Sequence, residues 1–427
     1  MDRCPRFFYG WVIVVIAVLG MILVYGIRHA FSVFFPPILN EFGWGRGSTA
    51  VILSLNILIY GLLAPVAGSL GDRWKPRRIM PIGIIILGLA TASCAFASEL
   101  WHFYLLFGVL MPVGSAFSGW PLLAPALANW FAKRRGLVLG LGNMGGGLSF
   151  AYGMFAEFVI SQLGWRYAFF VLAGTLVALI VPLYLLFFHY RPQGRGMRPY
   201  GIAEPSDVEG TKPGIVFVEN GLSRDWTLAQ AMRTYQLWLM VLSFSLYWGV
   251  GGYLILAHQV KFTVDAGYSS MFSASVFGLF GILVAGGEAC GFISDWIGRE
   301  KTITLAAILS VGALVSLLLV KDTSQPVLLY LYATCFGYGA GLYTPTIVAS
   351  IADIFYGRHI GGIMALLLTG MGVGGAIGPW LGGYIFDISG SYSSGFILCM
   401  ACFGLASVAV WIAAPRHASR LREKIQF

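Results

Sequence analysis

A charged side chain inside an apolar run costs at least ~2.5–3.5 kcal/mol on insertion scales, so it rarely persists there without a role. This chain has few of them: Arg28 and His29 in the first run, Glu157 in the fifth, Glu288 in the eighth, and His258 with Lys261 near the end of the seventh. In a low-dielectric cavity a guanidinium binds a carboxylate in bidentate fashion. Arg28 is therefore a candidate anchor for an organic anion; the alternative is permanent pairing with Glu157. His29 titrates near neutral pH in its ordinary state, and with Glu288 it is a candidate carrier of a coupling proton. It is equally readable as a hydrogen-bonded structural residue. Glu157 lies about one turn from the end of its run and can snorkel to water. Adjacent helix positions point about 100° apart, so Arg28 and His29 cannot face the same way. The expectation is that one lines a cavity and the other packs against Glu157.

Polar and aromatic residues at cavity-prone positions come next. Asn143 and Tyr343 lead, with Trp120, Tyr338, Asn56, Tyr152 and Tyr332. Each either lines a path or serves as packing or an interface anchor. Gly140-Leu141-Gly142-Asn143-Met144-Gly145 spells the dinucleotide fingerprint, but it sits within an apolar helix with no strand before it, so that reading fails. No Walker motif is present, which excludes ATP as the driver. Cys399 and Cys402 have C-x-x-C spacing without His or carboxylate neighbours, and they read as small apolar packing residues. Neither a metal nor a cofactor is expected.

The elements that must position these residues follow from composition. Of 427 residues, 58% are hydrophobic and 11% charged, less than half the charge of a soluble chain. Twelve membrane helices need ~240 apolar positions, and the chain supplies about that many. A soluble enzyme, a disordered protein and a disulfide-stapled secreted domain are excluded, and the long apolar runs argue against a β-barrel. The runs predict helices at 10–35, 48–70, 77–97, 100–130, 135–161 and 166–189, then 233–260, 270–294, 302–320, 326–352, 360–386 and 393–414. The fold class is all-α, with twelve transmembrane helices in two six-helix bundles. The domain reading is residues 1–189, a linker 190–232, and residues 233–427 with a short tail. Thr227-Leu228-Ala229-Gln230 predicts a capped surface helix closing the linker.

Basic residues fix the expected orientation. With both termini and the linker in the cytoplasm, 22 Lys and Arg fall inside and 4 outside, the positive-inside pattern of a multi-pass plasma-membrane protein. The basic clusters are short and separated by spans, so nucleic acid is not an expected partner. The halves also repeat. Gly68 to Asp72 matches Gly291 to Asp295, and Pro121, Ala128, Phe131 and Arg134 match Pro345, Ala352, Phe355 and Arg358, at offsets of 223 and 224 positions. A parallel repeat of this kind describes a rocking transporter with its site between the halves near mid-membrane.

Gly68-x-Leu70-x-Asp72-Arg73, followed by Arg77 and Arg78, resembles the signature of the major facilitator superfamily, and Gly291 to Arg299 resembles its weaker copy. The resemblance implies a conformational latch at Asp72, Arg73, Asp295 and Arg299. Tyr9-Gly10-Trp11-Val12-Ile13-Val14, then Tyr25 and Ser32-Val33-Phe34-Phe35, resembles the monocarboxylate transporters and their oxalate/formate-exchanging relatives. In that family a lysine often follows the Tyr by four positions, where this chain has His29. The helix-8 Asp and Arg of the family are replaced by Leu283 and Gly287. The resemblance implies proton-coupled transport of a small, lactate- or pyruvate-like monocarboxylate by alternating access, by a chain functional as a monomer. Exchange of anions of the oxalate/formate type, or export of another small molecule, are the alternatives. Substrate contacts are expected from Arg28, His29, Asn143, Tyr343, Tyr338 and Trp120, and the ion partner is a proton or a counter-anion.

Overall fold

The computed structural model describes residues 8–74, 76–201, 226–355 and 360–417; the side chains of Asp72, Arg73 and Arg135 lie outside this description. Twelve long helical segments account for most of it. The first six are α1 (Gly10–Phe42), α2 (Arg46–Arg73), α3 (Pro76–Ser93), α4 (Leu100–Trp130), α5 (135–163) and α6 (Trp165–Leu186). The last six are α7 (Tyr235–Asp265), α8 (Ser270–Ala289), α9 (Arg299–Leu319), α10 (Pro326–Ile354), α11 (Ile360–Ser389) and α12 (Ser393–Ala413). Ten are long and apolar enough to cross a membrane; α5 and α10 complete the twelve. Glycines in both, with Asn143 and Glu157 in α5 and several Tyr and Thr in α10, dilute their hydropathy.

The helices outrun several predicted edges. Helix α1 continues to Phe42 past Pro36 and Pro37, which remove the bonds to the carbonyls of residues 32 and 33. Two helices carry π-helical segments, Tyr104–Leu110 in α4 and Ser245–Gly252 in α7, and such wider turns often mark functional positions. Asn56 uses the first, donating from Nδ2 to the Phe107 carbonyl at 2.7 Å. The capped helix at Leu228–Ala231 is present, with Thr227 and Gln230 satisfying each other's backbone amides.

Both ends of the connecting segment pack on their own half. Tyr200 pairs with Trp130 and Phe131 beside Phe8, and Trp226 packs on Phe355. Tyr9 donates to the Phe187 carbonyl at 2.8 Å. The start of α1 and the ends of α4 and α6 therefore share one face, here the connector end; the opposite face is the far end.

Three helix pairs join the halves: α2 with α11, α5 with α8, and α1 with α7, where Phe35 packs edge-on to His258. Helix α2 crosses α11, where Trp380 N–H donates to Ser54 Oγ (3.2 Å) and Thr369 Oγ1 to the Gly61 carbonyl (3.3 Å). At Gly61 a Cβ would fall 2.8 Å from the Gly372 Cα, so the backbones approach as small residues allow. Helix α5 crosses α8 through Met154 on Gly278, Phe150 on Gly281 and Gly147 on Ala285. The α5 stripe runs 154, 150, 147, 143 and continues to Gly140 and Gly136, where an added Cβ meets nothing within 4 Å. On α11 the same continuation from Gly372 ends at Gly361, also open. The halves therefore close at the far end and part toward the connector end.

Candidate functional site

Tyr25 and Arg28 lie one helical turn apart on α1 and so share a face. The Arg28 guanidinium carbon is 4.5 Å from the Tyr25 ring centroid and 4.7 Å from that of Tyr60 on α2. Contacts of this kind contribute up to ~2 kcal/mol when desolvated. The two tyrosine hydroxyls are 2.5 Å apart. Arg28 is 5% exposed, and its Nε and Nη1 have no hydrogen-bond partner. Each buried donor left unsatisfied costs ~1–3 kcal/mol, more on an ion. Acceptor oxygens placed beside these two atoms would remove that cost.

Helix α4 adds a second positive feature. Its α-helical run stops at Ala116 and restarts at Trp120 after the non-helical residue Gly119. The restart is a helix N-terminus inside the protein, carrying partial positive charge, and the Tyr25 hydroxyl lies beside Gly119, 3.4 Å from where a Cβ would sit. The cluster at Arg28 is thus built by α1, α2 and α4.

His29 points elsewhere, as the 100° rule requires. It stacks flat on Phe150 of α5, with centroids 3.8 Å apart and planes 9° apart, and its Nδ1 lies 2.7 Å from Ser149 Oγ. Ser149 gives its own proton to the Gly146 carbonyl, so His29 Nδ1–H donates and Nε2 is left as an acceptor. No ion pair or hydrogen bond joins Glu157 to Arg28 or His29 among the described residues. The expected partnership with Glu157 is absent because Arg28 turns toward the tyrosine rings and His29 toward Phe150.

The other sequence candidates separate into distinct settings. Asn143 Nδ2 donates to Glu288 Oε1 at 2.7 Å, a bond between α5 and α8 and hence between halves, while Glu288 Oε2 is buried without a partner. Tyr343 is sealed inside the second half, stacked on Tyr247 at 3.8 Å with its hydroxyl 2.7 Å from Ser243. Tyr338 is exposed beside Gly286; neither tyrosine touches the Arg28 cluster. Arg299 binds Asp295 (2.6 Å) and Asp353 (2.9 Å), all within one half. Asp72 and Arg73 end α2, and their side chains lie outside the description. Tyr60 had no signal in the sequence, whereas the i, i+3 spacing of Tyr25 and Arg28 was there to be read.

Comparison with known proteins agrees with this architecture. The family model described as Major Facilitator Superfamily matches residues 17–347 and 291–426. Monocarboxylate transporter 13 of Rattus norvegicus is 26% identical over 416 residues, covering 96% of this chain and 90% of the relative. Monocarboxylate transporter 11 of Homo sapiens is 27% identical over 427 residues, covering 96% and 83%. Among solved structures, a bacterial homolog to the human lysosomal transporter Spinster, inward-facing and unoccupied, superposes with a TM-score of 0.66 at 18% identity over 99% of both chains. With the family match running nearly end to end over a fold of the same kind, the chain belongs to the major facilitator superfamily and is a membrane transporter, not an enzyme.

Proposed function

We propose that the protein is a secondary transporter of small organic monocarboxylates, working by alternating access with Arg28 as the anion anchor. The observation that carries this reading is the buried Arg28 guanidinium, with Nε and Nη1 unsatisfied beside the Tyr25–Tyr60 pair. The half-helix N-terminus at Trp120 supports it by favouring negative charge at the same place. Monocarboxylate transporters among the relatives favour the same substrate class. Leu283 and Gly287 stand where the family's helix-8 Asp and Arg would fall, so the anchor moves to α1. Coupling to a proton, through Glu288 or His29, completes the proposal. The exchange of one anion for another is the second reading, because Arg28 alone suffices for it.

The basic split of 22 to 4 supports a plasma-membrane topology with both termini and the segment 190–232 in the cytoplasm. In that orientation the parted end faces inward. Single cysteines at Ser206 and Ser391 would then label from opposite sides of intact cells. Counterflow in proteoliposomes with a panel of labelled carboxylates tests the substrate class. Arg28→Gln is expected to weaken carboxylate transport by about 10- to 150-fold, the scale of a hydrogen bond to a charged group. Carboxylate uptake at the parent rate by that variant would overturn the anion-site reading.

A further inference from the structure

Arg46, which opens α2 at the far end, gathers residues of the other half around it. Its Nη1 lies 2.6 Å from Asp265 Oδ2 at the end of α7 and donates to the Tyr392 hydroxyl at 2.8 Å. Its guanidinium carbon sits 3.5 Å over the Phe386 ring. The backbone amides of Arg46 and Gly47, first in α2, donate to the two carboxylate oxygens of Asp387 at 3.0 and 2.8 Å. These amides have no partner inside their own helix, and the helix dipole favours the anion there. One half thus supplies a cation and a helix N-terminus, and the other half supplies both carboxylates.

The receiving side is braced. Tyr392 accepts from Arg46, so its proton goes to His258 Nδ1 at 3.2 Å, and His258 Nε2 donates to the Pro379 carbonyl at 2.8 Å. Lys261 holds Asp265 from within the same half at 2.5 Å. Gly383 lets α11 reach the backbone of Arg46 and Gly47, where any side chain would collide. Nearby, Ser32 Oγ donates to the Leu256 carbonyl, again across the halves.

We propose that this cluster is the far-end gate of the transport cycle: Arg46 and the α2 N-terminus hold that end closed on Asp265, Asp387 and Tyr392, and all of these contacts must part for the site to face the other side. Arg46 is a positioning residue that sets the balance between the two conformations without touching substrate. The proposal rests on alternating access in the superfamily and not on the identity of the substrate, so it survives or fails independently of the carboxylate reading.

The test uses the full-length protein without its native cysteines, carrying one reporter at a time. Ser54→Cys reports from the closed far end, where Ser54 is buried against Trp380. Gly140→Cys reports from the parted end. With Arg46→Gln, labelling of Ser54→Cys by an impermeant maleimide should rise by about tenfold, the scale of one charge-assisted bond, while labelling of Gly140→Cys falls. Tyr392→Phe, which removes a single hydroxyl and spares the fold, should shift both reporters the same way by less. A rise at both positions marks loosened structure and overturns the proposal. Rates at both positions unmoved by Arg46→Gln and Tyr392→Phe overturn it as well.

Discussion

The far end and the connector end of this molecule are both rich in charge, yet they use it differently. At the far end the ion pair of Arg46 and the carboxylate of Asp387 run between halves. Toward the connector end, apart from the Asn143–Glu288 bond near the end of α8, the described polar ties stay within a half. Arg299 binds Asp295 and Asp353, Arg77 donates to the Leu185 carbonyl, and Arg416 meets Glu300. Ties between halves set the relative stability of two conformations; ties within a half leave it unchanged. The far end is therefore where the conformation described here is stabilised, and the connector end is free to part.

The largest disturbance of that contrast should come from the α2–α11 crossing. Gly61 faces the Gly372 Cα and the Leu368 carbonyl, both 2.8 Å from where a Cβ would lie. A leucine there must push backbones apart, and overpacking of this kind costs ~1–3 kcal/mol. Gly61→Leu is expected to raise far-end labelling of a Ser54→Cys reporter by about 5- to 150-fold on that estimate and to slow transport correspondingly. Unchanged labelling and transport would show that the crossing yields without cost.

A middling effect is expected at the lip between the closed and parted regions, where Asn143 meets Glu288. It is the last contact on the α5–α8 stripe before Gly140. Asn143→Ala removes one cross-half hydrogen bond and leaves the carboxyl group with no described partner, an expected cost of ~1–3 kcal/mol. If Glu288 also carries the coupling proton, Glu288→Gln should flatten the pH dependence of uptake and leave substrate-for-substrate exchange running. Equal loss of uptake and exchange would place Glu288 in the gate alone.

These contrasts were unevenly legible in the sequence. Twelve spans could be read because membrane-length apolar runs are a local signal, and Arg28 stood out because a lone cation in such a run is costly. The internal repeat anticipated two bundles. Arg46 was only one outer charge among four, since nothing in a linear sequence says that residues 46, 265, 387 and 392 converge. Tyr60 was invisible for the same reason: its role comes from a neighbouring helix. Helix ends were misjudged at Pro36 and Pro37, where tertiary packing carries α1 through residues that usually stop a helix.

The smallest effect, and the most telling sign, belongs to Arg299. Its partners Asp295 and Asp353 are substantially exposed, and exposed pairs contribute only ~0–1 kcal/mol. Because both lie in the same half as Arg299, losing them in this conformation should not open the far end. If Asp295 and Arg299 form the latch that the superfamily resemblance implies, that latch binds the other half only when the connector end is closed. Arg299→Gln would then destabilise the opposite conformation and favour the one described here. Far-end labelling of Ser54→Cys should fall by up to about fivefold, opposite in direction to Arg46→Gln. A combined Arg46→Gln, Arg299→Gln protein should sit between the two, since the sites occupy opposite ends and should combine additively. A rise in far-end labelling with Arg299→Gln alone would remove Arg299 from the latch, leaving Asp295 and Asp353 as local braces for the turn between α8 and α9.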